Sequence, residues 1–202
     1  MKRLLVVRHA EAASNVDGIV SGVVPGEGLS QTGRREADVL EARLRAERID
    51  LGVCSRFART CETLGLALAG RDAVPRIVMA ELDEIGFGSF EGGPLRAYRE
   101  WAWTNDAATP CPGGGESRSD VALRVARVLE LLRARPEEAI LAVGHALPLR
   151  YVIDAADGSF PAAKIEHLPH AMPYVLTPEQ VETAEETLRV WAQNPQFSDV
   201  SG

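Results

Sequence analysis

Two short aliphatic runs, each ending at a histidine, constrain this chain more than any other feature. Leu4-Leu5-Val6-Val7 leads into Arg8-His9, and Ile140-Leu141-Ala142-Val143 leads into Gly144-His145. Aliphatic runs without polar alternation predict strands covered on both faces, as inside a parallel sheet. Parallel strands bring their carboxyl ends to one edge, where open α/β sheets bind their ligands. The spacing therefore places His9 and His145 at one shared site. Arg8 adds a fixed fork of donors suited to phosphate or carboxylate. A histidine in such a place serves as a base, a metal ligand or a nucleophile.

The remaining pattern alternates strands with helices. Residues 12–28, rich in Gly, Ser and Asn, read as a long loop. Ser30 caps a helix whose Ala37, Leu40 and Leu44 recur at helical spacing. A strand is expected over 49–54. A helix follows it, capped by Ser55, with Phe57, Cys61, Leu64 and Leu68 as its buried stripe. Residues 74–79 read as a third strand, and the glycines of 82–92 predict backbone folded closely around something. Further helices are expected over 94–104, 116–133 and 148–156, an edge strand over 171–176, and a last helix with Thr177 as N-cap and Pro178 behind it. From Asn194 onward the polar composition predicts a frayed tail. No linker or repeat interrupts the 202 residues, so the expectation is one domain. Its class is α/β: a three-layer α/β/α sandwich with a mostly parallel central sheet.

Charge narrows the function classes. Twenty-two basic against 29 acidic residues leave a net charge of −7, so no overall basic field exists to hold nucleic acid or an anionic membrane. Three cysteines, Cys54, Cys61 and Cys111, contain no C-x-x-C pair and read as reduced thiols of a cytoplasmic protein. No segment reads as a targeting signal or a membrane span. A zinc reading of His9 and His145 needs a third ligand, which Asp83-Glu84 would have to supply. Arg8 beside His9 opposes a dication and favours an anion, so no metal is expected.

Six separated blocks, in order, carry a resemblance to the histidine phosphatase superfamily, the phosphoglycerate mutase-like group. They are Leu5-Val6-Val7-Arg8-His9-Ala10-Glu11 with Asn15; Leu29-Ser30-Gln31-Thr32-Gly33; Ser55, Arg59 and Thr63; Leu82-Asp83-Glu84 through Gly88-Ser89-Phe90-Glu91-Gly92; Pro112 to Ser117; and Gly144-His145-Ala146-Leu147. The resemblance spans residues 4 to about 152. It implies that His9 is a nucleophile forming a phosphohistidine. Arg8, Arg59 and His145 would line the phosphate pocket, with Asn15 and Ala146 as further phosphate contacts, and Glu84 would be the proton donor. Arg56 competes with Arg59, and Asp83 with Glu84. Three departures stand out: Ala10 and Ala146-Leu147 replace glycines of the family pattern, and Phe90 replaces a tryptophan.

Between Gly92 and Pro112 lie only about twenty residues, too few for the long helical insert of the mutases. The resemblance thus points to a cofactor-free phosphatase acting on a small phosphorylated metabolite. Residues 89–111, with Phe90, Tyr98, Trp101 and Trp103, would be its lid. The other readings are a phosphohistidine protein phosphatase, a phosphoglycerate mutase and a non-catalytic phosphate binder. Oligomeric state is open, a homodimer included.

Overall fold

The computed structural model describes residues 1–198. Five strands form one sheet in the order β3-β2-β4-β1-β5. These are β1 (Arg3–Arg8), β2 (Leu51–Cys54), β3 (Arg76–Val78), β4 (Ala139–Gly144) and β5 (Pro173–Leu176). The first four are parallel, while β5 runs antiparallel along β1. The sheet is mixed at one edge and parallel elsewhere, as the aliphatic runs require.

Alternation along β1 sets the layers. Leu4 and Val6 point to one face, against α5 (Arg118–Arg133), α6 (Ala146–Ala155) and α7 (Pro178–Gln193). Leu5 and Val7 point to the other, against α2 (Gln31–Leu44) and α3 (Ala58–Ala67). All four side chains are at most 2% exposed, so β1 is the centre of both cores. Two glycines permit the closest approaches on the α2/α3 face. A Cβ at Gly52 would stand 2.8 Å from Leu68, and one at Gly33 would stand 2.0 Å from the Glu11 carbonyl oxygen. The second clash involves backbone, so the first turn of α2 can lie on the chain leaving His9 only with glycine there.

Several expectations need correction. The loop after His9 contains a short helix, α1 (Ala13–Asp17). Phe57, not Ser55, occupies the N-cap of α3, because the Ser55 hydroxyl is engaged with His145. Cys61 lies outside the buried stripe of that helix and is exposed. α6 begins at Ala146, directly after His145, with Pro148 in its first turn, where a proline costs no hydrogen bond. The 94–104 helix is α4 (Leu95–Ala102). Residues 194–198 are not frayed: Ser198 donates its backbone N–H to Pro161 O at 3.1 Å, and Phe197 covers Arg118 at 4.4 Å. Positions 199–202 lie outside the described residues. Among the described residues no helix is long and apolar enough to cross a membrane.

Candidate active site

Register brings the histidines together. Arg8 pairs with Gly144 across β1 and β4, so His9 and His145 leave the sheet side by side with ring centroids 5.2 Å apart. Both are buried. Hydrogen-bond partners fix their tautomers. His9 Nδ1 lies 2.8 Å from Ala10 O, a pure acceptor, so Nδ1 carries the proton and Nε2 keeps its lone pair. Burial, reinforced by Arg59 and Arg8, holds the His9 pKa well below the ordinary value, and the ring stays neutral.

His145 is the centre of a relay of donors. Arg59 Nη2 donates to His145 Nδ1 at 3.1 Å, which leaves Nε2–H to donate to Ser55 Oγ at 2.8 Å. The Ser55 hydroxyl then faces Thr60 Oγ1 at 2.7 Å, and Thr60 donates to Phe57 O at 2.9 Å. Thr63, one turn beyond Arg59, accepts from the Ala10 amide at 3.0 Å and donates to Arg59 O at 2.7 Å. The Ser55, Arg59, Thr63 spacing thus serves two strand ends at once. Arg59 is 3% exposed and lines the cavity, whereas Arg56 is exposed and paired with Asp83.

Arg8 reaches the other side of the pocket. Its Nη1 donates to Leu168 O at 2.7 Å and meets His167 Nε2 at 3.2 Å. Its Nε is buried and has no partner among the described residues, an orphaned donor of the kind that awaits an anion. Burial lowers its pKa to about 10, so it stays cationic at neutral pH.

Glu84 is held by groups the sequence reading did not single out. Arg124 donates to the carbonyls of Glu81, Asp83 and Glu84 at 2.9, 2.7 and 3.1 Å, and pairs with Glu116 at 2.8 Å. Glu116 in turn accepts from Gly86 N at 2.8 Å. The signal was available: Arg124 falls between Val121, Val125 and Val128 on the apolar face of α5, where a charge needs a partner. Asp83 is turned away, accepting from Arg56 N at 3.0 Å and Nε at 2.8 Å. Glu84 alone of the pair lines the cavity, and burial raises its pKa above the usual carboxylate range against the pull of Arg59. With Asp83 so placed, zinc loses that carboxylate as a third ligand. Asn15 Oδ1 accepts from Ala12 N at 3.0 Å, so this residue shapes a turn and also lines the cavity.

Beyond His9 the cavity opens to about 330 Å³; His145, expected to line it, is instead fully buried behind it with both ring nitrogens engaged by Ser55 and Arg59. One wall is α4 with Leu95, Tyr98 and Trp103; Ala146 and Leu147 lie beneath. The lid expectation holds for Tyr98 and Trp103 but not for Phe90 and Trp101. Those two stack on Tyr98 and on each other at 5.5–6.3 Å, behind the wall. The opposite wall is a strap, residues 157–172, which places Ile165, His167 and Leu168 on the cavity. Arg118, another charge on the apolar face of α5, fastens it: the guanidinium donates to Ala162 O and Ala163 O, both at 2.7 Å, and to the Tyr151 hydroxyl at 2.6 Å. His170 Nδ1 donates to His9 O at 2.8 Å. All four histidines of the chain therefore belong to this region.

Paired histidines at adjoining strand ends, arginines around them and a carboxyl of raised pKa define a phosphoryl-transfer site. The comparisons agree. Residues 4–193 match the family model of the histidine phosphatase superfamily, branch 1. The adenosylcobalamin/alpha-ribazole phosphatase of Salmonella typhimurium is 34% identical over 175 residues, covering 82% of this chain and 84% of that one. The glucosyl-3-phosphoglycerate phosphatase of Mycobacterium tuberculosis is 32% identical over 169 residues, covering 80% and 73%. The crystal structure of the alpha-ribazole phosphatase from Shigella flexneri superposes with a TM-score of 0.72 at 28% identity, over 86% of this chain and 89% of that one. The chain belongs to the histidine phosphatase superfamily. It is a hydrolase, a phosphatase, of phosphoglycerate mutase-like fold.

Proposed function

We propose that this phosphatase hydrolyses a small phosphomonoester with a ring-sized apolar body, by way of a phosphohistidine on His9. The unprotonated Nε2, set by the Nδ1–H contact to Ala10 O, is the observation that carries this reading. Nε2 attacks phosphorus, and the bond from phosphorus to the ester oxygen breaks. Glu84, whose burial favours the protonated form, gives its proton to the departing alkoxide. Its carboxylate then takes a proton from water as that water attacks the phosphohistidine. The N–P bond breaks, inorganic phosphate leaves and both groups return to their starting states. Arg8, Arg59 and the amides opening α6 at Ala146 surround the phosphoryl oxygens, where positive charge matters most. Arg59 reaches them by releasing His145 Nδ1. Asn15 is an outer contact. With this charge supplied by side chains, the step requires neither metal nor cofactor.

The body of the substrate is argued from the wall. Leu95, Tyr98, Trp103, Leu147 and Ile165 offer apolar surface for a flat group. That favours an alpha-ribazole phosphate, the substrate class in the relative's name, while Arg99 and Glu166 on the same cavity supply polar partners for a sugar and a carboxylate, so glucosyl-3-phosphoglycerate is the competing class. α4 and the strap wall the cavity on two sides, which argues against a phosphorylated protein chain as the substrate. The short stretch around α4 argues against a mutase. All three cysteines are free thiols, in keeping with a cytoplasmic setting.

Rapid-quench labelling tests the mechanism. Acid-labile, base-stable phosphate should appear on the His9 peptide, and His9→Ala should lose activity by on the order of 10⁴ or more. Full activity in that variant would end the proposal. A panel containing both relatives' substrates tests the class, and a preference for glucosyl-3-phosphoglycerate would reverse it.

A further inference from the structure

We propose that Cys54 and Cys61 form a redox-modifiable dithiol, closed to a disulfide by hydroperoxides, that controls the placement of His145 and Arg59. The two sulfurs already lie 3.5 Å apart. Cys54 ends β2 and is 3% exposed, while Cys61 stands on α3 and is exposed to solvent. A disulfide needs the sulfurs at about 2.05 Å, so closure asks for roughly 1.5 Å of relative movement.

What lies between them makes the movement matter. Ser55, the residue after Cys54, holds His145 Nε2 through its hydroxyl. Its carbonyl oxygen accepts from Cys61 Sγ at 3.4 Å. Arg59 sits two residues before Cys61, in the first turn of the same helix. Drawing α3 and the end of β2 together displaces the hinge from which both Arg59 and His145 are hung.

The chemistry assigns the two sulfurs different parts. The exposed Cys61 thiolate attacks a peroxide oxygen; the O–O bond breaks, an alcohol or water leaves, and Cys61 becomes a sulfenic acid. Cys54 sulfur then attacks Cys61 sulfur, the S–O bond breaks, and water departs with the Cys54 proton. Two electrons pass from the dithiol to the peroxide, and an exogenous dithiol reverses the exchange. Burial shields the Cys54 thiol from peroxide and raises its pKa, so the first attack falls to the exposed Cys61. Cys111 supplies an internal control. It is buried in the core on the other side of the sheet, with its pKa pushed up to about 11.

The experiment treats the purified full chain with hydrogen peroxide and follows mass, peptide cross-links and hydrolysis of p-nitrophenyl phosphate. The expected result is loss of two hydrogen atoms, a Cys54–Cys61 cross-linked peptide and a fall in activity of about tenfold or more, restored by dithiothreitol. Cys61→Ser should keep its basal activity and resist peroxide. Over-oxidation of Cys61 without a cross-link would overturn the proposal, and so would equal peroxide sensitivity in Cys61→Ser. A disulfide that leaves activity and orthovanadate affinity unchanged would overturn the coupling to the site. The mass readout is independent of the roles given to His145 and Arg59, so its failure and theirs are distinguishable.

Discussion

The two ends of the cavity are built differently. At the phosphate end every functional group hangs from a strand terminus or a first helical turn and is tied by side-chain hydrogen bonds: His9 through Ala10, His145 through Ser55 and Arg59, the Ala10 amide through Thr63. The body end is assembled from α4 and the strap, which meet across the cavity and share its apolar lining. The first end resists change in geometry, and the second sets shape. Loss of a phosphate-end group should therefore slow every substrate, while changes at the body end should reorder substrates and leave the chemistry intact.

Glu84 offers the sharpest test, since it stands where the two ends meet. Glu84→Gln should slow phosphorylation from an alkyl phosphate by ~10²–10⁴-fold, with a much smaller loss for p-nitrophenyl phosphate, whose leaving group departs unassisted. Dephosphorylation should suffer with both esters, so phosphoenzyme accumulates from the activated one. Asp83→Asn, which removes only the Arg56 contact, is the control. Equal losses of phosphorylation rate in rapid-quench kinetics would take the acid role away from Glu84. A selective loss in Asp83→Asn would move it one residue earlier.

A smaller effect is expected at the strap. Ile165→Ser removes apolar surface worth about 1–2 kcal/mol to a ring-sized substrate. KM for an aryl or nucleoside-like phosphate should rise by roughly tenfold, with inhibition by inorganic phosphate unchanged. A parallel fall in kcat for all esters would show that the strap belongs to the chemistry after all.

The last prediction concerns stability. His9 and His145 are neutral when folded because burial depresses their pKa values, whereas in the unfolded chain they titrate near 6.5. Below about pH 6.5 the unfolded state thus binds more protons, and stability falls as pH falls through that window. Each ring adds a slope of up to ~1.4 kcal/mol per pH unit. The melting temperature should drop between pH 7 and pH 5, and by less in His145→Gln. A pH dependence of melting in His145→Gln identical to that of the native chain would mean that this ring is not held neutral.

What was legible in the sequence divides along the same line. The aliphatic runs gave away the strands and the two histidines that end them, whereas Ser55, Arg59 and Thr63 were found through the resemblance to the family's block, since the apolar stripe of their helix does not mark them. Even there the reading erred where tertiary contact overrode a local preference. Ser55 looks like a cap and instead serves His145; Cys61 fits an apolar stripe and instead faces water. The body end left little trace. The strap has no periodicity, and Arg118 and Arg124 act on carbonyl oxygens at least 40 residues away in the chain, contacts that no local spacing encodes.

The way the strap is gripped has a consequence for variation. Arg8 and Arg118 hold it by the carbonyl oxygens of Leu168, Ala162 and Ala163, groups that every amino acid carries. Apart from His167 and His170, which meet Arg8 and His9 O through their rings, the fastening is thus indifferent to which side chains the strap bears. A chain built this way can trade Ile165 for other residues, acquire a different taste in substrates and keep its catalytic histidines undisturbed. The strap is the natural place to exchange sequence when this scaffold is to be given a new phosphoester to cleave.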